Sequence, residues 1–159
     1  GDGASNAEVH NAGEVWASVL WECYSSLLRD SRLTFDQANE RMRRYLVSSL
    51  KLTPNAPTFL EARDAVLAAA WVSDRADYDA FVKAFAKRGM GAGAQGPEKS
   101  STDHAGVVES FVTGADVAID RIVLDQSFRI NDAITPDAGP RIDESVVHDN
   151  RPLRKLGST

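Results

Sequence analysis

Thr53-Pro54-Asn55-Ala56-Pro57-Thr58-Phe59-Leu60-Glu61 stops one helix and starts another. Proline lacks the backbone donor a helix needs and pushes the residue before it out of helical geometry, so the preceding helix must end near Leu52. Thr58 followed by Glu61 is a capping box, in which each side chain satisfies the other residue's orphan backbone N–H, and it opens a new helix. Phe59, Val66, Leu67 and Ala70 form that helix's expected inward face. Working back, Thr34 with Gln37 repeats the start signal, and the helix behind it is expected to bury Phe35, Ala38, Met42, Tyr45 and Leu46. Earlier still, Trp16, Leu20, Cys23 and Leu27 recur at helical spacing, with Val15 and Val19 widening the stripe. Working forward, a fourth helix is expected from about Asp74 to Arg88, carrying Tyr78, Phe81, Val82 and Phe85. Lys87 and Arg88 suit its negative end, and Gly89 supplies a left-handed cap. Four helices with short connections make a bundle.

Gly89-Met90-Gly91-Ala92-Gly93-Ala94-Gln95-Gly96-Pro97 breaks this pattern and reads as a loop or boundary. The chain therefore divides into a helical lobe, 1–96, and a linker with a partial β segment, 97–159. Within the second part, Gly106 to Val112 and Val117 to Ile130 are short β-like apolar runs. Residues 135–159 are polar enough to be expected poorly ordered. The fold class is mainly α: a four-helix lobe followed by a β-rich or irregular tail.

The formal charge of −5 argues against a nucleic-acid surface, and Arg41, Arg43 and Arg44 spread around their helix instead of forming a basic stripe. No apolar run approaches the roughly 18 residues of a membrane span. Cys23, the single cysteine, excludes an intrachain disulfide and reads as an inert buried thiol. The chain starts at Gly1 with no secretory pattern behind it, which reads as a processed product or a piece of something longer.

Among three histidines, His10 stands apart, because it lies just before a strongly patterned helix in Glu8-Val9-His10-Asn11-Ala12-Gly13-Glu14-Val15-Trp16-Ala17. It is either a functional imidazole or a cap for a helix starting near Ala12. His104 and His148 lie in polar sequence and read as solvated loop residues. Glu14 is expected in the first turn, where a carboxylate complements the positive helix end. Arg63 and Asp64 read as a structural ion pair or cap. Trp16, Trp21 and Trp71 read as core. Asp36, Asp74, Asp77 and Asp79 lack the spacing of a calcium loop, and two of them look like helix-start residues.

Three blocks carry a resemblance: Val9 to Ala17, Leu50 to Phe59 continued by Ala62 to Ala65, and Ala84 to Gly91. Together they resemble, in order, the C-terminal part of the fungalysin metallopeptidases, whose catalytic domain is similar to that of thermolysin, and they cover about residues 8 to 91. The resemblance implies a secreted zinc endopeptidase acting on peptides. In such enzymes the two histidines of an H-E-x-x-H helix and a glutamate on the next helix hold Zn2+, and the motif's own glutamate is the general base. No H-E-x-x-H occurs here, and the zinc-ligand glutamate lies upstream of the matched region, so neither Glu14 nor Glu22 takes that role. The resemblance thus implies a lobe that partners an upstream zinc-binding half and is inactive without it.

By the same resemblance His10 is the catalytic residue of this lobe, donating a hydrogen bond to the oxyanion of the tetrahedral intermediate. The carboxylate that orients such a histidine lies five residues earlier in thermolysin-like enzymes, where this chain has Ser5. Asp2 and Glu8 are substitutes at other spacings. Two further readings stay open: a non-catalytic helical binding module, and a peptidase relative without the zinc motif.

Overall fold

The computed structural model describes residues 8–114. Four helices account for most of them: α1 (Val9–Leu28), α2 (Phe35–Leu52), α3 (Phe59–Ser73) and α4 (Arg75–Lys87). Each packs on its neighbour in sequence, and α1 closes the ring against α4. The expected signals account for most ends. Thr34–Gln37 and Thr58–Glu61 both form full capping boxes, and α2 stops at Leu52. Gly89 follows α4 at φ +80°, as a left-handed cap requires.

α3 carries the core. Ala65 through Ala70 are all buried, so this helix is enclosed well beyond the Val66, Leu67 and Ala70 stripe expected to face inward from it. Its run of alanines leaves room for α2 and α4 to approach on adjacent sides. From those sides come Met42, Tyr45, Phe81 and Phe85, with the Tyr45 and Phe81 rings meeting edge-on 5.4 Å apart. Val19, Cys23 and Leu27 close the core from α1. Burial pushes the Cys23 thiol far above its ordinary range, which leaves it unreactive.

Several sequence expectations need correction. Phe35 is 65% exposed, because side chains lean toward the helix N-terminus and a first-turn residue overhangs the bundle's end. Leu33, just before the cap, packs on the core instead. Trp21 is 61% exposed, since it follows Leu20 by one residue and is turned a quarter-circle or more off the apolar stripe. Val15 and Phe59 are also exposed, although the Phe59 ring stacks on Trp16 at 5.8 Å. Trp16 and Trp71 do pack against the core.

One polar cluster sits inside this framework. Asp77 is completely buried in α4 and accepts from Arg41 Nη1 at 2.7 Å, Tyr45 Oη at 2.7 Å and Arg32 Nη2 at 2.9 Å. Asp74 caps α4 by accepting from the Ala76 and Asp77 N–H groups, and also receives Arg41 Nη1 at 2.8 Å. The cluster joins the α1–α2 turn, α2 and α4. A carboxylate so enclosed is tolerable only with its oxygens fully engaged.

The clusters after α4 are sparser. Of the β-like run Gly106 to Val112, two isolated bridges form, Gln95 with Val108 and Met90 with Ser110. The expectations for 117–130 and 135–159 fall outside the described residues.

Replacing Asp77 by Ala is expected to lower stability by about 3–5 kcal/mol in urea unfolding, because Arg41 and Tyr45 lose a buried acceptor. Asp74 behaves differently. The Arg41 guanidinium, foremost, holds its carboxyl at about 2 against an ordinary 3.8. A depressed folded-state value gives stability that is whole above 3.8 and is lost as pH falls toward 2. Asp74→Asn keeps a good helix cap but removes the charge. Its stability profile is therefore expected to flatten through that acid window, measured by urea unfolding at stepped pH.

Candidate functional site

The N-terminus of α1 positions the residue singled out by the sequence. The helix begins at Val9, earlier than the Ala12 start, so His10 is inside the first turn and does not cap it. Glu8 is the cap. Its Oε2 accepts from the His10 N–H at 2.9 Å and the Asn11 N–H at 3.2 Å, the donors a cap is meant to satisfy. Its other oxygen, Oε1, meets His10 Nδ1 at 2.7 Å. A carboxylate only accepts, so Nδ1 must carry the proton of that bond. Nε2 is then the nitrogen left to a ligand.

The electrostatics follow from this geometry. The hydrogen bond from His10 is the foremost cause holding the Glu8 carboxyl below its usual range, aided by the backbone donors and opposed by desolvation. The His10 side chain itself is 88% exposed. Val9 beside it is 74% exposed, and a side chain at Gly13, one turn on, would meet nothing within 4 Å. Trp21 is eleven residues beyond His10, three helical turns along the same flank of α1, and pairs edge-on with Tyr24. The imidazole thus heads an open flank on which Glu14 and Trp21 are also exposed.

The helix bearing it is anchored on both sides. Trp16 stacks on Phe59 of α3 and tilts against Phe85 of α4 at 6.3 Å. Glu22 receives Lys87 Nζ and Arg88 Nη2, each at 2.7 Å, across the α1–α4 seam. Those two cations hold its carboxyl below the ordinary range.

Other sequence candidates take structural places. Glu14 is the sixth residue of α1 and exposed, past the first turn where a carboxylate serves the helix end, so the expected capping role falls to Glu8. Arg63 and Asp64 form the ion pair expected of them, Nη2 to Oδ1 at 2.7 Å. Arg63 does more than that. Its Nη1 donates to the Met90 and Gly91 carbonyls at 2.9 and 3.1 Å, fastening the glycine segment to α3. Around that segment, Gly91 N–H donates to Ser110 O, Ala92 N–H to Val112 O and Ser110 N–H to Gly89 O. Gly91 is required there, since a Cβ would lie 2.5 Å from the Val112 carbonyl oxygen. His104 is an exposed loop residue at φ +54°, and His148, Ser5 and Asp2 lie outside the described residues.

What the sequence reading missed is the Asp77 cluster. Its one trace was spacing: Asp77 precedes Phe81 and Phe85 by four and eight residues, which puts a carboxylate on the apolar stripe of α4. Among the described residues no group of three or more histidine, cysteine, aspartate or glutamate side chains could hold a metal ion. The described residues therefore do not fit a zinc site.

This chain matches the fungalysin metallopeptidase family over residues 2–94, and it belongs to that family. It is similar to Extracellular metalloproteinase 3 of Arthroderma gypseum, 33% identical over 108 residues, 60% of this chain and 17% of the relative. Extracellular metalloproteinase 5 of Arthroderma benhamiae is 33% identical over 112 residues, 63% of this chain and 18% of that one. Extracellular metalloproteinase 1 of Arthroderma gypseum is 36% identical over 107 residues, 60% and 17% of the two chains. The chain thus spans less than a fifth of each of these relatives. No solved structure matches it.

Arg63→Ala is expected to cost about 3–5 kcal/mol, because it strands the Asp64 carboxyl, already raised by burial, and two carbonyls. Hydrogen exchange at Gly91, Ala92 and Ser110 should accelerate beyond the global loss. Unchanged protection at those amides would show that Arg63 does not hold the segment.

Proposed function

We propose that this chain is the C-terminal lobe of an extracellular zinc endopeptidase, where His10 stabilises the developing oxyanion and α1 forms one wall of the substrate cleft. One observation carries the reading: in a fungalysin family member, His10 is held by Nδ1 to Glu8 with the ring otherwise exposed at the open end of α1. A ring fixed through one nitrogen presents the other in a set direction, and a preorganised donor favours the transition state over the ground state. The protonated imidazole keeps Nδ1–H on Glu8 and offers Nε2–H to the carbonyl oxygen of the scissile bond.

The exposed flank supports the wall. Val9 beside His10 and Trp21 three turns along leave apolar surface open on α1, as expected of a lobe whose complement covers it. In the complete enzyme a zinc ion would supply activated water; its ligands and the general base would come from an upstream half carrying H-E-x-x-H, and this chain alone would not hydrolyse peptides. The peptide substrate lies between the two halves. The relatives' names support an extracellular setting, and no described helix is long and apolar enough to cross a membrane.

The test is zinc-dependent peptide cleavage by this chain combined with the zinc-binding half. His10→Ala is expected to lower kcat by about 100- to 1,000-fold, the usual cost of losing one oxyanion donor. A loss below about tenfold overturns the role of His10. Failure of the two halves to associate, with a peptide or protein bound at the flank of α1 instead, would favour a non-catalytic binding module.

A further inference from the structure

We infer that Glu8 is the positioning residue for His10, one carboxylate doing the work of helix cap and of imidazole orienter. The inference rests on the proposed role of His10 for its catalytic consequence, but not for its geometry.

Capping alone does not explain a glutamate at this position. Serine, threonine, aspartate and asparagine are the favoured caps, because a short side chain folds back onto the second and third N–H groups without extra rotamer entropy. Glu8 makes those two bonds with Oε2 alone. The longer side chain places a second oxygen beyond the helix end, and that oxygen meets His10 Nδ1 at 2.7 Å. A cap one or two atoms shorter would satisfy the same amides and leave the ring unheld.

The cap also restrains the orienter. Two backbone donors fix the carboxyl plane, so Oε1 has little freedom to follow a turning imidazole. The ring is fixed relative to the axis of α1, which Trp16 and Glu22 in turn fix on α3 and α4. A carboxylate on Nδ1 keeps that nitrogen's proton in place and fixes the direction of Nε2, which donates once the ring takes up its second proton. An otherwise solvated side chain, 88% exposed, has no packing to give it that constraint.

Glu8→Ser separates the two roles, since serine caps well but cannot reach Nδ1. The 159-residue chain, labelled with 15N, gives the ring tautomer from long-range proton–nitrogen spectra at alkaline pH. The unsubstituted chain is expected to show Nδ1 protonated and Nε2 bare. In Glu8→Ser the ring should relax toward the Nε2–H form that free histidine prefers, with helix content by circular dichroism unchanged. Identical ring nitrogen shifts in the two proteins would overturn the inference. In the assembled peptidase, Glu8→Ser should lower kcat about 10- to 100-fold with KM held. If His10→Ala abolishes activity while Glu8→Ser alters neither ring nor kcat, positioning by Glu8 is wrong and the role of His10 stands. If Glu8→Ser frees the ring while neither substitution affects kcat, the orienting bond is real and the proposed function fails.

Discussion

The carboxylate of Asp77 is the constraint on which the bundle depends. It is fully buried, and three donors from the α1–α2 turn and α2 converge on it: Arg32, Arg41 and Tyr45. Hydrophobic packing alone leaves helices free to slide and rotate at little cost. A buried charge does not, because any register other than this one leaves it without partners in low dielectric. Asp74 extends the same grip to the first turn of α4, so that helix is fixed in both rotation and height. Since α4 closes the ring on α1 through Phe85 and the Glu22 pair, the position of His10 is set at a distance by a residue with no chemical role.

Most of the fold was legible because its punctuation is local. Thr34, Thr58, Asp74 and the two prolines act within three or four residues of themselves, and the helix bounds follow. Burial was harder to read at the edges. Phe35 and Trp21 are large and apolar, but one overhangs the bundle and the other is on the outer flank of α1, three turns beyond His10. Their exposure depends on where a helix ends and what lies across from it, which periodicity does not encode. The Asp77 cluster was hidden for the opposite reason. Its donors are 32 to 45 residues away, and only tertiary structure brings them together.

The site was half legible. His10 was evident as an imidazole at the head of a helix, and its place there is as expected apart from the earlier start of α1. Its partner was only one of two candidates, Asp2 and Glu8, since a carboxylate two residues away normally points elsewhere and reaches Nδ1 only because Glu8 is folded back as a cap. The helix start and the orientation of the ring are therefore one fact, and misplacing the start at Ala12 obscures both.

The segment after α4 is held in another way. Its pairing with 108–112 runs chiefly through backbone N–H and carbonyl groups, and a side chain at Gly91 would strike the Val112 carbonyl. Val107, Phe111 and Val112 meanwhile project into solvent. Apart from Arg63 and Ser110, whose side chains bind carbonyls of this segment, its attachment does not depend on side-chain identity, so substitutions at Val107, Phe111 and Val112 can rewrite the outer surface without loosening it. The bundle, whose inward residues pack on one another across four helices, has no such latitude, so a substitution of equal size is tolerated better on that clasped margin than inside the bundle.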